Sequence, residues 1–173
     1  NVVSMSVSYG QKHSKELEAS KAVAEYYGVE HIYVNLAEIF KYSDCSLLEH
    51  SDKDIPHDTY ANQLKDTDGE PVSTYVPFRN GLFLATAASV AISRNCEAIY
   101  YGAHSDDAAG SAYPDCSAEF NKAIGDAIYI GSGKSVRVEA PFVQWTKKDI
   151  VKEGLKINVP YHLTWSCYEG KDK

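Results

Sequence analysis

Apolar residues and serines alternate from Val2 to Ser8, and the run ends at Tyr9-Gly10, which predicts a first strand. Leu17, Ala22, Val23, Ala24 and Tyr27 then recur among charges across Lys15 to Tyr27. That spacing predicts an amphipathic helix, with Ser14 as its N-cap and Gly28 as its stop. His31 to Leu36 reads as a second strand. Strand, helix, strand in close succession is a βαβ unit and implies parallel pairing. Further on, Gly81 to Ser93 is a nearly continuous apolar stretch that reads as a buried helix, and Glu97 to Ala103 reads as a strand. Glu119 to Ile130 is helical in period, Val136 to Phe142 is a strand, and Thr146-Lys147-Lys148-Asp149 is a capping box opening a helix that ends near Gly154.

Residues 40–74 break the pattern. Asp, Ser, His and Lys dominate there, Pro56 and Gly69 punctuate it, and it carries His50 and His57. It reads as an irregular insert in one α/β domain spanning 1–173. The element order predicts a doubly wound parallel sheet.

Composition narrows the function classes. Hydrophobic residues make up 44% and charged residues 24%, an ordinary globular balance. The net charge of −7 argues against direct binding of nucleic acid through its phosphates. The longest apolar stretch, Gly81 to Ile92, falls short of the roughly 20 residues needed to cross a bilayer. The four cysteines, Cys45, Cys96, Cys116 and Cys167, form no CxxC pair and follow no secretory signal, so a reducing, cytoplasmic setting is expected. The chain opens on Asn1 and directly on a strand, so a further segment is expected upstream.

In doubly wound folds ligands bind at the carboxyl ends of the strands. That rule selects Tyr9-Gly10-Gln11-Lys12-His13, Gly102-Ala103-His104-Ser105-Asp106-Asp107, and Phe142-Val143-Gln144-Trp145. Arg79 stands at the entrance of the Gly81 helix, where the macrodipole is already positive. A shared anion would explain that placement; the plainer alternative is pairing with an acid of the insert. Tyr113, Asp115 and Glu119 offer a stacking surface and acceptor-only carboxylates, suited to the N–H edge of a guanine-like ring. The plainer alternative there is a proline turn with Asp115 or Ser117 as N-cap. Gly131-Ser132-Gly133-Lys134-Ser135 imitates the end of a phosphate loop, but position 128 is Ile and a strand follows, so it is expected to be a turn.

Four segments in this order resemble the 7-cyano-7-deazaguanine (preQ0) synthase family: Tyr9-Gly10-Gln11-Lys12-His13, Tyr75-Val76-Pro77-Phe78-Arg79-Asn80, Tyr113-Pro114-Asp115-Cys116 and Leu163-Thr164-Trp165-Ser166-Cys167-Tyr168. The resemblance implies an ATP-pyrophosphatase-type fold of the adenine nucleotide alpha hydrolase kind. It implies that ATP and Mg2+ activate 7-carboxy-7-deazaguanine as an acyl-adenylate, that ammonia converts this to an amide, and that a second ATP drives dehydration to the nitrile. The alternatives are an amidating relative with another carboxylate, or a non-catalytic nucleotide-binding protein. By position, Arg79 and Asp107 are assigned to catalysis, Asn80, Tyr113, Asp115 and Glu119 to the substrate, and Tyr9, Gly102 and His104 to the adenosine. Cys167 is assigned as the first of four cysteines on a structural Zn2+. The resemblance further implies a homodimer. The family's phosphate loop precedes the first strand and its other three cysteines follow Cys167, so both motifs fall outside Asn1 to Lys173. Two departures stand out: Phe78 replaces a common glycine, and Ala112 lengthens the loop after Asp106 and Asp107.

Overall fold

A computed structural model describes residues 1–56, 62–63, 71–109 and 112–166. They fall into two compact units, Asn1–His57 with Asn158–Lys173, and Asp58–Ile157. The architecture is mixed α/β with parallel strands.

In the first unit, β1 (Val3–Ser8) pairs in parallel with β2 (Glu30–Asn35), Val3 opposite Glu30 and Ser8 opposite Asn35. Helix α1 (Lys15–Tyr26) joins them, as expected of a βαβ unit. The polar positions of β1 are not solvent-facing: Ser6 Oγ lies 2.6 Å from Ser20 Oγ of α1, and Ser4 Oγ lies 3.1 Å from His31 Nδ1 of β2. Gly28 ends α1 as expected. At φ +63° it lets its N–H reach the Glu25 carbonyl and the Val29 N–H reach that of Ala24, a Schellman closure. Ser14 differs from expectation. Its side chain does not cap the helix but faces Glu18, 3.4 Å away.

A short α2 (Ala37–Phe40) follows, with Phe40 buried beneath Tyr9. Residues 41–56 of the insert are turns that return to the first strand's end, where Glu49 N–H donates to the Gly10 carbonyl. His50 Nε2–H donates to the Ser43 carbonyl at 2.8 Å, while His57 lies outside the described residues. A 3-10 turn at Tyr161–Leu163 packs on α1, and Lys15 Nζ sits 4.6 Å from the Trp165 ring centre.

In the second unit, α3 (Arg79–Ser93) buries Gly81, Leu84, Ala88 and Ala91, while Ile92 is exposed, so it is one-sided and not buried all round. Strand β3 (Ala98–Tyr100) pairs in parallel with β4 (Arg137–Glu139); both are three residues long, shorter than their apolar runs suggest. After β3 come α4 (Ser105–Ala108), a 3-10 turn (Pro114–Cys116) and α5 (Ala118–Gly131). Ser117 caps α5, accepting from Phe120 N–H at 3.0 Å. Gly131 ends α5 and residues 132–135 form the turn from it into β4, with Ser132 Oγ holding Val136 N–H; the segment is not a phosphate loop. Helix α6 (Lys147–Lys156) begins with the expected capping box and runs two residues past Gly154. Leu84, Ala88, Ala91, Ile128 and Val136 form the core; a second cluster of Val72, Ala112, Tyr113 and Cys116 underlies the loops described next.

Candidate functional site

The chain leaves β3 into a turn that is tied down on two sides. Ser105 N–H and Oγ both donate to the Trp145 carbonyl, at 2.9 and 2.7 Å. Asp106 accepts from Lys147 N–H at 2.8 Å. The Asp107 carboxylate stands between two cations or potential cations, His104 Nε2 at 3.3 Å and Lys147 Nζ at 3.5 Å. Its main-chain carbonyl accepts from Tyr113 N–H at 3.2 Å. The His104–Asp107 turn therefore ties the start of α6 to the Tyr113 loop. With Nε2 toward the carboxylate, the other nitrogen, Nδ1, is buried and makes no hydrogen bond.

The second feature is the start of α3. The residue before it, Phe78, offers no capping side chain and has φ +56°. That left-handed conformation costs a non-glycine residue about 1–2 kcal/mol. A residue 35 positions away supplies the cap. Asp115 Oδ2 accepts from Asn80 N–H at 2.8 Å, and Asn80 Nδ2 returns hydrogen bonds to the Asp115 carbonyl at 3.1 Å and to Cys116 Sγ at 3.2 Å. A carboxylate at a helix N-terminus is electrostatically favoured. Beside it, Tyr113 OH lies 2.6 Å from Thr74 Oγ1 in a fully buried pair, and the Tyr75 ring meets Tyr113 edge-on at 6.3 Å. Tyr75 OH accepts from Phe78 N–H at 3.0 Å.

Burial dominates the electrostatics. It raises the Asp115 carboxyl above its ordinary 3.8, against the opposing pull of the Asn80 N–H and the Arg79 charge. Burial, then the Asp115 and Asp107 charges, pushes the Cys116 thiol up to about 12. It is thus a thiol and not a thiolate at neutral pH, which disqualifies it as a nucleophile. Burial also takes Tyr101 to about 12 and raises Tyr75, so both keep the hydroxyl proton at neutral pH.

The second unit thus brings together Arg79, Asn80, Tyr113 and Asp115, with His104 and Asp107 joined to the Tyr113 loop. Gly102 is exposed beyond β3, and Glu119 is exposed on the first turn of α5. Tyr9 belongs to the first unit, where its ring is buried edge-on against Phe40 at 6.1 Å. Cys167 lies outside the described residues. Sequence reasoning assigned no role to Lys147, Thr74, Tyr101 or Cys116. Lys147 is hidden inside its own capping box, and the others look like ordinary core positions. A shallow open depression of about 300 Å³ lies along α6, walled by Trp145 and the charged residues Asp149, Lys152, Glu153 and Lys156. Among the described residues, no three His, Cys, Asp or Glu side chains converge as a metal site, and no helix is long and apolar enough to cross a membrane.

Residues 1–173 match the family described as Queuosine biosynthesis protein QueC. The chain is 41% identical over 166 residues to the 7-cyano-7-deazaguanine synthase of Archaeoglobus fulgidus, a match covering 95% of this chain and 66% of that protein. It is 42% identical over 165 residues to the synthase of the same name from Caldicellulosiruptor saccharolyticus, covering 95% and 69%. With that of Picrophilus torridus it shares 38% over 176 residues, covering 99% and 70%. The chain therefore spans about two thirds of the length of these relatives. The family match runs over all of the chain, the alignments with these relatives cover 95–99% of it, and the chain belongs to the QueC family of queuosine biosynthesis proteins.

Proposed function

We propose that this chain is the larger part of a 7-cyano-7-deazaguanine synthase, an ATP-dependent ligase that converts 7-carboxy-7-deazaguanine and ammonia to the nitrile through an acyl-adenylate and an amide. The observation that carries the proposal is the match to synthases of that name over almost all of the chain. A doubly wound sheet of the ATP-pyrophosphatase type, a homodimer and a cytoplasmic setting belong to the same proposal.

A carboxylate is a poor electrophile until one oxygen becomes part of a leaving group, and ATP with Mg2+ supplies that group when bound. The chain's own residues hold and orient. Arg79 brings positive charge to the α3 N-terminus, where the helix macrodipole is also positive, so that an anionic group of a substrate would be favoured there. Asp115, fixed by Asn80, sets where that helix begins. Tyr113, buried and fixed by Thr74, backs that helix start from the core side, beneath the proposed substrate site. Asp107 holds His104 and Lys147 at the end of β3, with His104 and Gly102 proposed on the adenosine side and Glu119 on the substrate side. Cys167 is proposed as a zinc ligand; the described residues offer no metal cluster, and no step is assigned to zinc.

Incubation of the complete gene product with ATP, ammonia and 7-carboxy-7-deazaguanine should yield the nitrile together with AMP. A panel of other carboxylates should not be amidated. If the nitrile does not form, the proposal is wrong. Metal analysis of the same protein should find zinc that is lost in Cys167→Ala.

A further inference from the structure

Four described residues other than glycine have positive φ: Phe78, Asn95, Lys134 and Asn158. Asn95, Lys134 and Asn158 follow the ends of α3, α5 and α6, where a left-handed residue closes a helix. Phe78 precedes a helix, where no such closure is needed. Its strain therefore has another cause, and the side chain shows what the conformation achieves. The Phe78 ring lies directly on the main chain of Gly81: a Cβ at position 81 would fall 2.7 Å from Phe78 Cδ1 and closer still to Cε1 and Cζ. Phe120 meets the ring edge-on, with centres 5.8 Å apart at 90°. Tyr75 OH holds the Phe78 N–H. A ring pinned this firmly would ordinarily be core, yet Phe78 remains 52% exposed. It stands one residue before Arg79 and two before the Asn80–Asp115 pair.

We propose that Phe78 is a fixed stacking platform for a planar fused heterocycle entering at the start of α3, and that it sets affinity and specificity for that ring. The inference rests on the function proposed above, because both substrates of that reaction, the deazaguanine acid and ATP, carry such a ring. An exposed aromatic face held in one orientation is the form in which stacking gains most, since little side-chain freedom is lost on binding. Backbone strain concentrated at a site residue fits the same role.

The test is equilibrium binding, which does not depend on turnover. Calorimetry on the complete gene product measures Kd for 7-carboxy-7-deazaguanine and for ATP separately, in the wild type, Phe78→Tyr and Phe78→Gly. Phe78→Gly should weaken one of the two by about tenfold, and Phe78→Tyr should bind as the wild type does. The ligand affected identifies which ring stacks. Unchanged Kd for both ligands in Phe78→Gly overturns the proposal, even if the oligomeric state shifts. So does equal loss in Phe78→Tyr and Phe78→Gly, or failure of the wild type to bind either ligand. Absence of turnover with the Kd pattern intact would instead remove the proposed reaction and leave the platform standing.

Discussion

The second unit starts two helices in opposite ways. Helix α6 is capped by its own neighbours: Thr146 Oγ1 accepts from Asp149 N–H at 3.2 Å, and Asp149 Oδ2 accepts from Thr146 N–H at 3.1 Å. That cap is exposed and local. Helix α3 has no capping side chain of its own and borrows the buried carboxylate of Asp115 from 35 residues away. A local cap stabilises one helix, whereas a borrowed cap also fixes two chain segments against each other. Only the second arrangement can locate a reacting group to a fraction of an ångström, which is what catalysis demands.

Removing the borrowed cap is expected to have the largest effect. Asp115→Ala leaves the part-buried Asn80 N–H without its acceptor, and should cost about 1–2 kcal/mol in urea unfolding. Displacing the α3 start should also lower kcat/KM by about a hundredfold. Asp115→Asn keeps an acceptor and sheds the buried charge, so it should recover most of the stability and less of the activity. If Asp115→Ala unfolds easily but turns over normally once folded, the carboxylate is merely a cap.

The same contrast explains what could be read from the sequence. The capping box at Thr146, the Gly28 stop and the Ser117 cap are set by neighbours within a few positions, so their residue types announce them; the parallel β1–β2 pairing is legible for another reason, the strand–helix–strand order that a crossover requires. The Asn80–Asp115 bonds depend on tertiary folding, and no spacing rule connects positions 80 and 115. Both residues were singled out, but for contacts to a ligand, while their bonds to each other went unseen. Ser14 shows the converse failure: it has the right residue type at the right place, yet its hydroxyl faces Glu18. Strands β3 and β4 are shorter than their apolar runs, because apolar side chains pack on a core as well from a loop as from a ladder.

The local cap should give a smaller and purely structural effect. Thr146→Ala should cost about 1 kcal/mol, and Thr146→Ser should restore it. Affinity for 7-carboxy-7-deazaguanine should not change, since the Asp106 bond to Lys147 N–H still anchors the α6 start. A tenfold loss of affinity in Thr146→Ala would erase the distinction between the two helix starts.

The finest test is the sign of a pH dependence. Burial raises the Asp115 carboxyl above 3.8 in the folded chain, whereas the Thr146 hydroxyl and N–H lower that of Asp149 below 3.8. A carboxyl that holds its proton more tightly when folded favours the folded state below 3.8, and that contribution is lost as pH rises through the raised folded value. A carboxyl that releases its proton more readily when folded contributes above 3.8, and loses that contribution as pH falls through the lowered folded value. Urea unfolding of the wild type, Asp115→Asn and Asp149→Asn across the acidic range should therefore give opposite slopes. The stability of the wild type relative to Asp115→Asn should fall as pH rises, and its stability relative to Asp149→Asn should rise. Slopes of the same sign would mean that the two carboxylates sit in equivalent surroundings, and that burial does not separate the borrowed cap from the local one.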